Sequence, residues 1–538
     1  MPKIAIISPR EYGIPLETTS FRIRMPIYGV ISLASFLRSE GHVVKVFCEL
    51  SGAKVDWKDI ANADYVFFSF LSFCAHRAYE MATRIKNNYK AIVVMGGSHP
   101  SVMPEDCLRF CDYVIRNEGE KVAKELLDYL ADEKRGDISL IKGISYRNKN
   151  NQVIHNPDQI FDQDISSAVD MSIIPQYSSQ RLWWNIRDTI ANGMPRVPMP
   201  VIQASRGCNA HCKFCVVRYQ LGITHRKRPI DTVFQEIDQC FKLFKNPYFL
   251  FADNDWSIDE DFAVEFFERL LKEYKSKLRP YVFARVQVFQ NQRFLKILEK
   301  FEHATLGVGF ESLHNENLQN FNKSQTITDI NQAIATINRY KIHLNGLFIF
   351  GNDYDTPQTV RETVDYCIKN GLFSVGLFSI YDFPGRQKVL RQPQMIQDHH
   401  FIHKDFRFYN LNFVVNYPKL MRPSVLQECI MNGYKQFNDR SANSMYQFLP
   451  TRPTLKRYIE YLQKIEKNYY TSEGLRIDHR LLERDVNSLE EKIPITCRRS
   501  EIYIESGKFI INNLFRRVSW RLLIGMLLHR ESPSSKLD

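Results

Sequence analysis

The sequence holds no window of about 18 consecutive apolar residues, so it has no simple membrane-spanning helix. Its start, Met1-Pro2-Lys3-Ile4-Ala5-Ile6-Ile7-Ser8, lacks the apolar core of about 7–15 residues that marks a secretory signal, and a cytoplasmic location is expected. Low-complexity tracts and internal repeats are absent. With 44% hydrophobic and 25% charged residues, the composition is that of a globular protein, which excludes disorder as the dominant state. Disulfide density is missing too: 11 cysteines in 538 residues is not a disulfide scaffold, which belongs to short secreted domains. Charge of one sign is not concentrated. The 72 Lys and Arg against 60 Asp and Glu leave +12 over the whole chain, a mild excess that permits an anionic ligand without naming one. A chain of this length suggests about three or four domains.

The segment 1–135 alternates short apolar runs with helical spacing. Lys3–Ser8, Val43–Phe47, Tyr65–Phe70, Ala91–Met95 and Tyr113–Ile115 read as strands. Ala75–Asn87 and Lys121–Tyr129 read as helices between them, and Gly41 suits a helix C-cap. Such alternation implies a parallel sheet covered on both faces, with ligands at the strand C-terminal ends. Residues 136–196 read as a connector carrying a hairpin over Gly143–Ile154. From 197 to 395 a second alternation begins, with strands at Pro200–Ala204, Tyr248–Ala252, Tyr281–Ala284, Leu306–Phe310, Leu344–Phe350 and Val375–Ile380. Six strands fit a partial (β/α)6 barrel rather than the complete eight. Residues 396–538 read as mostly helical.

Three cysteines are crowded into Ser205-Arg206-Gly207-Cys208-Asn209-Ala210-His211-Cys212-Lys213-Phe214-Cys215, a Cys-x3-Cys-x2-Cys loop directly after an expected strand. Three thiolates on one loop can face one cubane iron–sulfur cluster and leave one of its irons open for a small ligand. Zinc with His211 as fourth ligand is the competing reading, but structural zinc sites draw ligands from two separated knuckles, and the sequence has no second one. The isolated Cys74 reads as a small buried hydrophobe, and the isolated His76 as a structural residue.

With its aromatic Phe214, this loop resembles that of the radical S-adenosylmethionine (SAM) enzymes. Gly309-Phe310-Glu311-Ser312 is similar to the family's fourth-strand segment, which implies that Glu311 and Ser312 contact SAM. Gly346-Leu347-Phe348-Ile349-Phe350-Gly351 resembles the fifth-strand region that packs on adenine, and Asp382-Phe383-Pro384-Gly385-Arg386 the sixth-strand turn. Asp355 stands where the family usually has Glu.

The first segment resembles the cobalamin-binding, Rossmann-like domain of the cobalamin-dependent (class B) branch. The resemblance is carried by Pro26–Leu37, by Gly96-Gly97-Ser98-His99-Pro100 and by Glu118-Gly119-Glu120. It implies cobalamin contacts at Ser69, Gly96, Gly97, His99 and Glu118. No Asp-x-His-x-x-Gly occurs, so cobalamin would bind without a protein histidine on cobalt.

The resemblance further implies a [4Fe-4S] cluster on Cys208, Cys212 and Cys215, SAM cleavage to a 5′-deoxyadenosyl radical, and methylation of an unactivated carbon. Cyclisation and oxidation by the same parts stay open. It also implies reducing conditions, a small-molecule or lipid-like substrate, an electron donor such as flavodoxin or ferredoxin, and no nucleic acid. A tRNA methylthiotransferase would carry three cluster cysteines in its N-terminal domain, the first near the chain start, whereas the first cysteine here is Cys48, and no basic RNA-binding β-barrel pattern ends the chain. A non-catalytic metal-binding protein is the remaining alternative. Near the end, Leu514, Val518, Leu522 and Met526 share a helical face flanked by Arg516, Arg517 and Arg521. That pattern suits either a helix docked on the barrel or peripheral contact with anionic lipid.

Overall fold

A computed structural model describes residues 2–10, 28–132, 136–161, 164–174, 199–243, 248–274, 277–380, 401–440, 452–470 and 493. The strands, in chain order, are β1 (Lys3–Ser8), β2 (Val43–Cys48), β3 (Tyr65–Ser69), β4 (Ile92–Gly96), β5 (Tyr113–Ile115), β6 (Ile144–Arg147), β7 (Val153–His155), β8 (Val201–Ile202), β9 (Ser205–Arg206), β10 (Arg226–Lys227), β11 (Tyr248–Phe251), β12 (Arg279–Ala284), β13 (Thr305–Glu311), β14 (His343–Phe350) and β15 (Ser374–Ser379).

The first sheet runs β2-β1-β3-β4-β5-β6-β7. β1 to β5 are parallel, and β6 and β7 join antiparallel. The hairpin expected within a connector therefore extends this sheet. Its strands pair with the short edge strand β5, which would otherwise expose unpaired backbone groups. The helices Tyr28–Ser39, Ala75–Asn88 and Glu120–Ala131 cover the sheet. The second of these buries Ala75, Ala78, Met81, Ala82 and Ile85, the three-and-four spacing of one helical face. The order places a topological switch between β1 and β3, where open α/β sheets bind ligands beyond the strand C-termini.

The second sheet runs β15-β14-β13-β12-β11-β8, all parallel, an open arc of six strands. Alternate residues of β14 are buried beneath the covering helices, and the intervening ones are half-buried on the inner face. β13 is irregular between Gly309 and Glu311, and Glu311 has φ 62°. Beyond the arc, the helix Pro423–Arg440 packs on β15, with the Tyr434 hydroxyl accepting from Leu377 N and donating to Leu377 O. The segment around Phe406–Phe408 reaches back to the first sheet, with His76 Nε2 3.2 Å from Asp405 and the Phe406 ring 4.7 Å from that of His99. Among the described residues, no helix is long and apolar enough to cross a membrane. The C-terminal amphipathic stretch around Leu514–Met526 lies outside the described residues.

The two α/β units are tied by a buried cluster. Tyr28, on the first helix, donates to Glu236 Oε2 at 3.0 Å, and Arg228 donates to both the Tyr28 hydroxyl (2.6 Å) and Glu236. Val169 N closes the remaining Glu236 oxygen at 2.8 Å. Removing one partner of such a buried pair leaves an uncompensated charge. Arg228→Met is therefore expected to lower stability by about 3–5 kcal/mol in urea denaturation. An unchanged unfolding midpoint would contradict this account of how the units are joined.

Candidate active site

The cysteine loop is closed at its neck by a short antiparallel pair, β9 with β10, in which Arg206 stands opposite Arg226. Gly207 turns the chain into the loop with φ 93°, and an added Cβ would lie 2.1 Å from Thr224 O. Only glycine fits that left-handed turn and that close approach. Cys208 N then donates to Gly222 O at 3.2 Å. Upstream, the buried carboxyl of Asp253 accepts from Ala204 N (3.1 Å) and Ser205 Oγ (2.6 Å), and burial outweighs these bonds to push its pKa up to about 6.

The far side of the loop is pinned to the turn that ends the short helix Asn315–Asn320, after β13. Lys213 N donates to Phe321 O at 2.9 Å, and Asn322 Nδ2 to His211 O at 2.9 Å. Phe214 meets Phe321 edge-on at 5.2 Å between centroids. Arg285, at the end of β12, binds Asp255 and reaches Asn209 Oδ1 at 3.2 Å. The loop thus spans the mouth of the arc.

Each cysteine lies within electrostatic reach of the others. Burial raises the Cys212 thiol, and burial pushes that of Cys215 up to about 11, with the neighbouring thiols adding to both. Among the described residues, no three His, Cys, Asp or Glu side chains converge as they would on a single ion. His211 is engaged with Arg218 at 2.7 Å.

Facing the loop, Glu311 accepts from Lys323 Nζ at 2.7 Å. Both side chains are under one-tenth exposed. Burial disfavours the Lys323 charge, but Glu311 and the thiols of Cys212 and Cys215 outweigh it, and the pKa is raised. Its ammonium lies 5.8 Å from the centre of the Phe214 ring. The expected site residue Glu311 therefore stands beside the cluster loop, already paired with a lysine.

Other expected contacts are placed as supports. Ser312 Oγ accepts from His314 N and Asn317 Nδ2, both at 3.2 Å, and organises the following turn. A Cβ on Gly346 would meet Leu372 at 2.7 Å and Phe348 at 3.0 Å, so Gly346 serves packing under the helices. Gly351, with φ 100°, donates its N–H to Asp355 at 2.9 Å. Asp355, whose pKa burial raises to about 6, also accepts from Asn352 N, Asn317 Nδ2 and Thr359 Oγ1. Pro384 and Gly385 lie outside the described residues.

In the first unit, the ends of β1, β3 and β4 bring Ser8, Ser69 and Gly96 to the switch-point edge. Ser8 is wholly buried there, its hydroxyl beside the Cys48 thiol. At Gly97, with φ 94°, a Cβ would lie 2.9 Å from Phe70 N, so the neighbouring backbone by itself demands glycine here. His99 is wholly buried, with Nε2 2.9 Å from the Tyr79 hydroxyl and Nδ1 3.0 Å from Ser72 Oγ. Burial, then His76, pushes its pKa down to about 3. Both ring nitrogens are occupied, so it can ligate no cobalt, and its role is to brace the edge.

Glu118 is engaged by two arginines. It receives a two-pronged bond from Arg226 (3.0 and 2.7 Å) and a further one from Arg206 (3.3 Å). Arg206, Arg226 and Lys323 are the functional residues that motif reading passed over. Arg206 adjoins Gly207-Cys208, and Lys323 follows Glu311 by 12 positions.

Comparison with known proteins agrees with this geometry. The Radical SAM superfamily profile matches residues 202–367, and the B12 binding domain profile residues 18–127. An uncharacterized methyltransferase of Pyrococcus horikoshii is 29% identical over 69% of this chain and 78% of its own length. The bacteriochlorophyllide d C-12(1)-methyltransferase of Chlorobaculum tepidum is 24% identical over 61% and 65%. The anaerobic magnesium-protoporphyrin IX monomethyl ester cyclase of Cereibacter sphaeroides is 24% identical over 69% and 58%. This chain thus spans less than two thirds of the length of the latter two. Among solved structures, the radical SAM methyltransferase TsrM of Kitasatospora setae, with cobalamin and a [4Fe-4S] cluster bound, superposes with TM-score 0.63. The identity is 16%, over 87% of this chain and 98% of that one, so this likeness bears on the fold.

The chain belongs to the cobalamin-dependent branch of the radical SAM enzymes. Its cofactors are a [4Fe-4S] cluster, SAM and cobalamin.

Two outcomes test the site. Cys208→Ala, Cys212→Ala and Cys215→Ala should each abolish SAM cleavage after anaerobic reconstitution, because an iron loses its anchor. Full iron content with full cleavage in any one would contradict the assignment. Gly207→Ala should also lose most of its iron, since the added methyl collides with the Thr224 carbonyl. Iron loading equal to wild type would show that the neck tolerates a side chain.

Proposed function

We propose that this protein transfers a methyl group from SAM to an unactivated carbon of a small organic molecule. The observation that carries the reading is the position of the three-thiol loop. It lies across the mouth of the six-stranded arc, and the short helix that follows it, Val217–Gln220, touches the ligand edge of the cobalamin-type sheet. Ser98 Oγ, at the start of the turn after β4, contacts Gln220 Oε1 at 3.2 Å just beyond the loop.

The bound groups supply the organic radical and the transferable methyl, and the protein's part is to hold and shield them. Cys208, Cys212 and Cys215 hold the cluster, and their count leaves one iron for SAM. Lys323 and Glu311 set the local charge beside that iron. Ser8, Ser69 and Gly96 line the edge where cobalamin docks, and no histidine at that edge is free to ligate cobalt. The inner face of the arc carries the half-buried Tyr281, Phe283, Leu347, Ile349 and Phe378 beside the polar His343 and Asn345, and its apolar part suits a hydrocarbon-rich substrate. Two of the named relatives, the bacteriochlorophyllide methyltransferase and the magnesium-protoporphyrin cyclase, act on a tetrapyrrole, which is consistent with a bulky, lipid-like molecule here. A flavodoxin or ferredoxin is the electron donor we assign. The cytoplasm, with its low potential, is the setting this chemistry needs.

A second reading, cyclisation or oxidation without methyl transfer, is favoured by the cyclase among the relatives. The two differ in what becomes of SAM. The reconstituted protein with hydroxocobalamin should form S-adenosylhomocysteine as well as 5′-deoxyadenosine under reducing conditions. Formation of 5′-deoxyadenosine alone, with cobalamin bound, would contradict methyl transfer and favour the second reading.

A further inference from the structure

The loop's neck contains a physical conflict. β9 and β10 are two residues each, and their register sets Arg206 directly across from Arg226. Like charges opposite one another in an antiparallel pair are destabilising, and so short a pair has little else to close it. The conflict is resolved from the other unit. Glu118 and Glu120, between the end of β5 and the first turn of the helix Glu120–Ala131, supply two carboxylates to the two guanidinium groups. Glu118 binds both arginines. Glu120 Oε1 accepts from Arg206 Nη2 at 2.8 Å and from Ser32 Oγ at 2.7 Å, and Arg206 also donates to Ser32 Oγ at 3.1 Å.

All four charged side chains are nearly enclosed, the most exposed being Glu120 at 14%. Burial would raise the Glu120 pKa, but the charge and hydrogen bonds of Arg206, with the Ser32 bond, hold it at about 2. A buried ionic cluster of this kind is often no more stabilising than apolar residues of the same volume. Stability is therefore a weak reason for it. Docking of the two units does not need it either, since the Tyr28–Arg228–Glu236 cluster makes an independent tie. What this clamp does and the other does not is hold the residue two positions before Cys208.

We propose that Arg206 is a positioning residue. Clamped by Glu118 and Glu120, it registers the cysteine loop on the cobalamin domain and so sets the separation between the iron–sulfur cluster and cobalamin. This rests on the reading that one chain holds both groups. It reassigns the Glu118-Gly119-Glu120 signature from the cofactor to the loop.

The test uses the full-length reconstituted protein with hydroxocobalamin as the added probe, reduced so that cluster and cobalt are both paramagnetic. Pulsed EPR then reads their separation. Wild type should give one narrow distance. Arg206→Gln should broaden or shift it, and Arg206→Lys should largely restore it. Arg206→Gln strands no carboxylate, because Glu118 keeps Arg226 and Glu120 keeps Ser32. Hydrogen exchange of the peptide carrying Gly207 and Cys208, read without cobalamin, should rise about tenfold or more in Arg206→Gln. A single narrow distance with wild-type exchange in Arg206→Gln would overturn the proposal, whatever happens to its melting temperature. If that variant does not fold, Glu120→Gln, which loosens the clamp from the other side, decides by the same readings. Failure of wild type to bind hydroxocobalamin would instead sink the functional reading, and the exchange measurement would then decide the clamp alone.

Discussion

The rest of the site depends on Glu118 sitting between two arginines. Three thiolates can meet one cluster only if the loop that carries them has fixed ends, and a loop of this length has too much conformational freedom to fix itself. Its near end is closed by Arg206 and Arg226 around a carboxylate from another unit. Its far end is held by Phe321 O and Asn322 Nδ2, in the turn that ends the helix Asn315–Asn320. The positive excess of the chain is, at this point, neutralised locally: two arginines and two glutamates give a buried cluster of no net charge.

The same economy governs the mouth of the arc. Lys323 is buried beside the thiols and would be costly there without Glu311. Glu311 is delivered by the irregularity at the end of β13, which puts it at φ 62° and turns its side chain toward the loop. The pair sets a fixed dipole beside the cluster loop, which suits a site that must receive a zwitterionic amino acid moiety. Farther along the rim, Asp355 accepts from Gly351 N, Asn352 N and Thr359 Oγ1, and from Asn317 Nδ2 across from it, so that acid supports the rim. Asp for Glu at this position costs the site nothing that the turn requires.

How much of this was legible in the sequence can be judged residue by residue. The strands were readable because parallel strands buried on both faces appear as continuous apolar runs. Lys3–Ser8 and Tyr113–Ile115 have the bounds expected from such runs. The cysteine loop was readable because its spacing is itself the chemistry. The clamp was not, because β9 and β10 are two residues long and carry no periodicity, and their partner lies 86 positions away from Arg206 in Glu120. A glycine demanded by a neighbouring backbone, as at Gly97, and one demanded by a cofactor look identical in a sequence. The hairpin Ile144–His155 could be recognised as a hairpin, but not as part of the first sheet, since nothing local says which edge it will join.

The most direct test of the account is the EPR spectrum of the dithionite-reduced, reconstituted protein recorded before and after SAM is added. Three protein thiolates leave one iron of the cluster without a protein ligand, so the account predicts a reduced [4Fe-4S] signal whose g values shift on addition of SAM. A reduced cluster whose spectrum is unchanged by saturating SAM would contradict it.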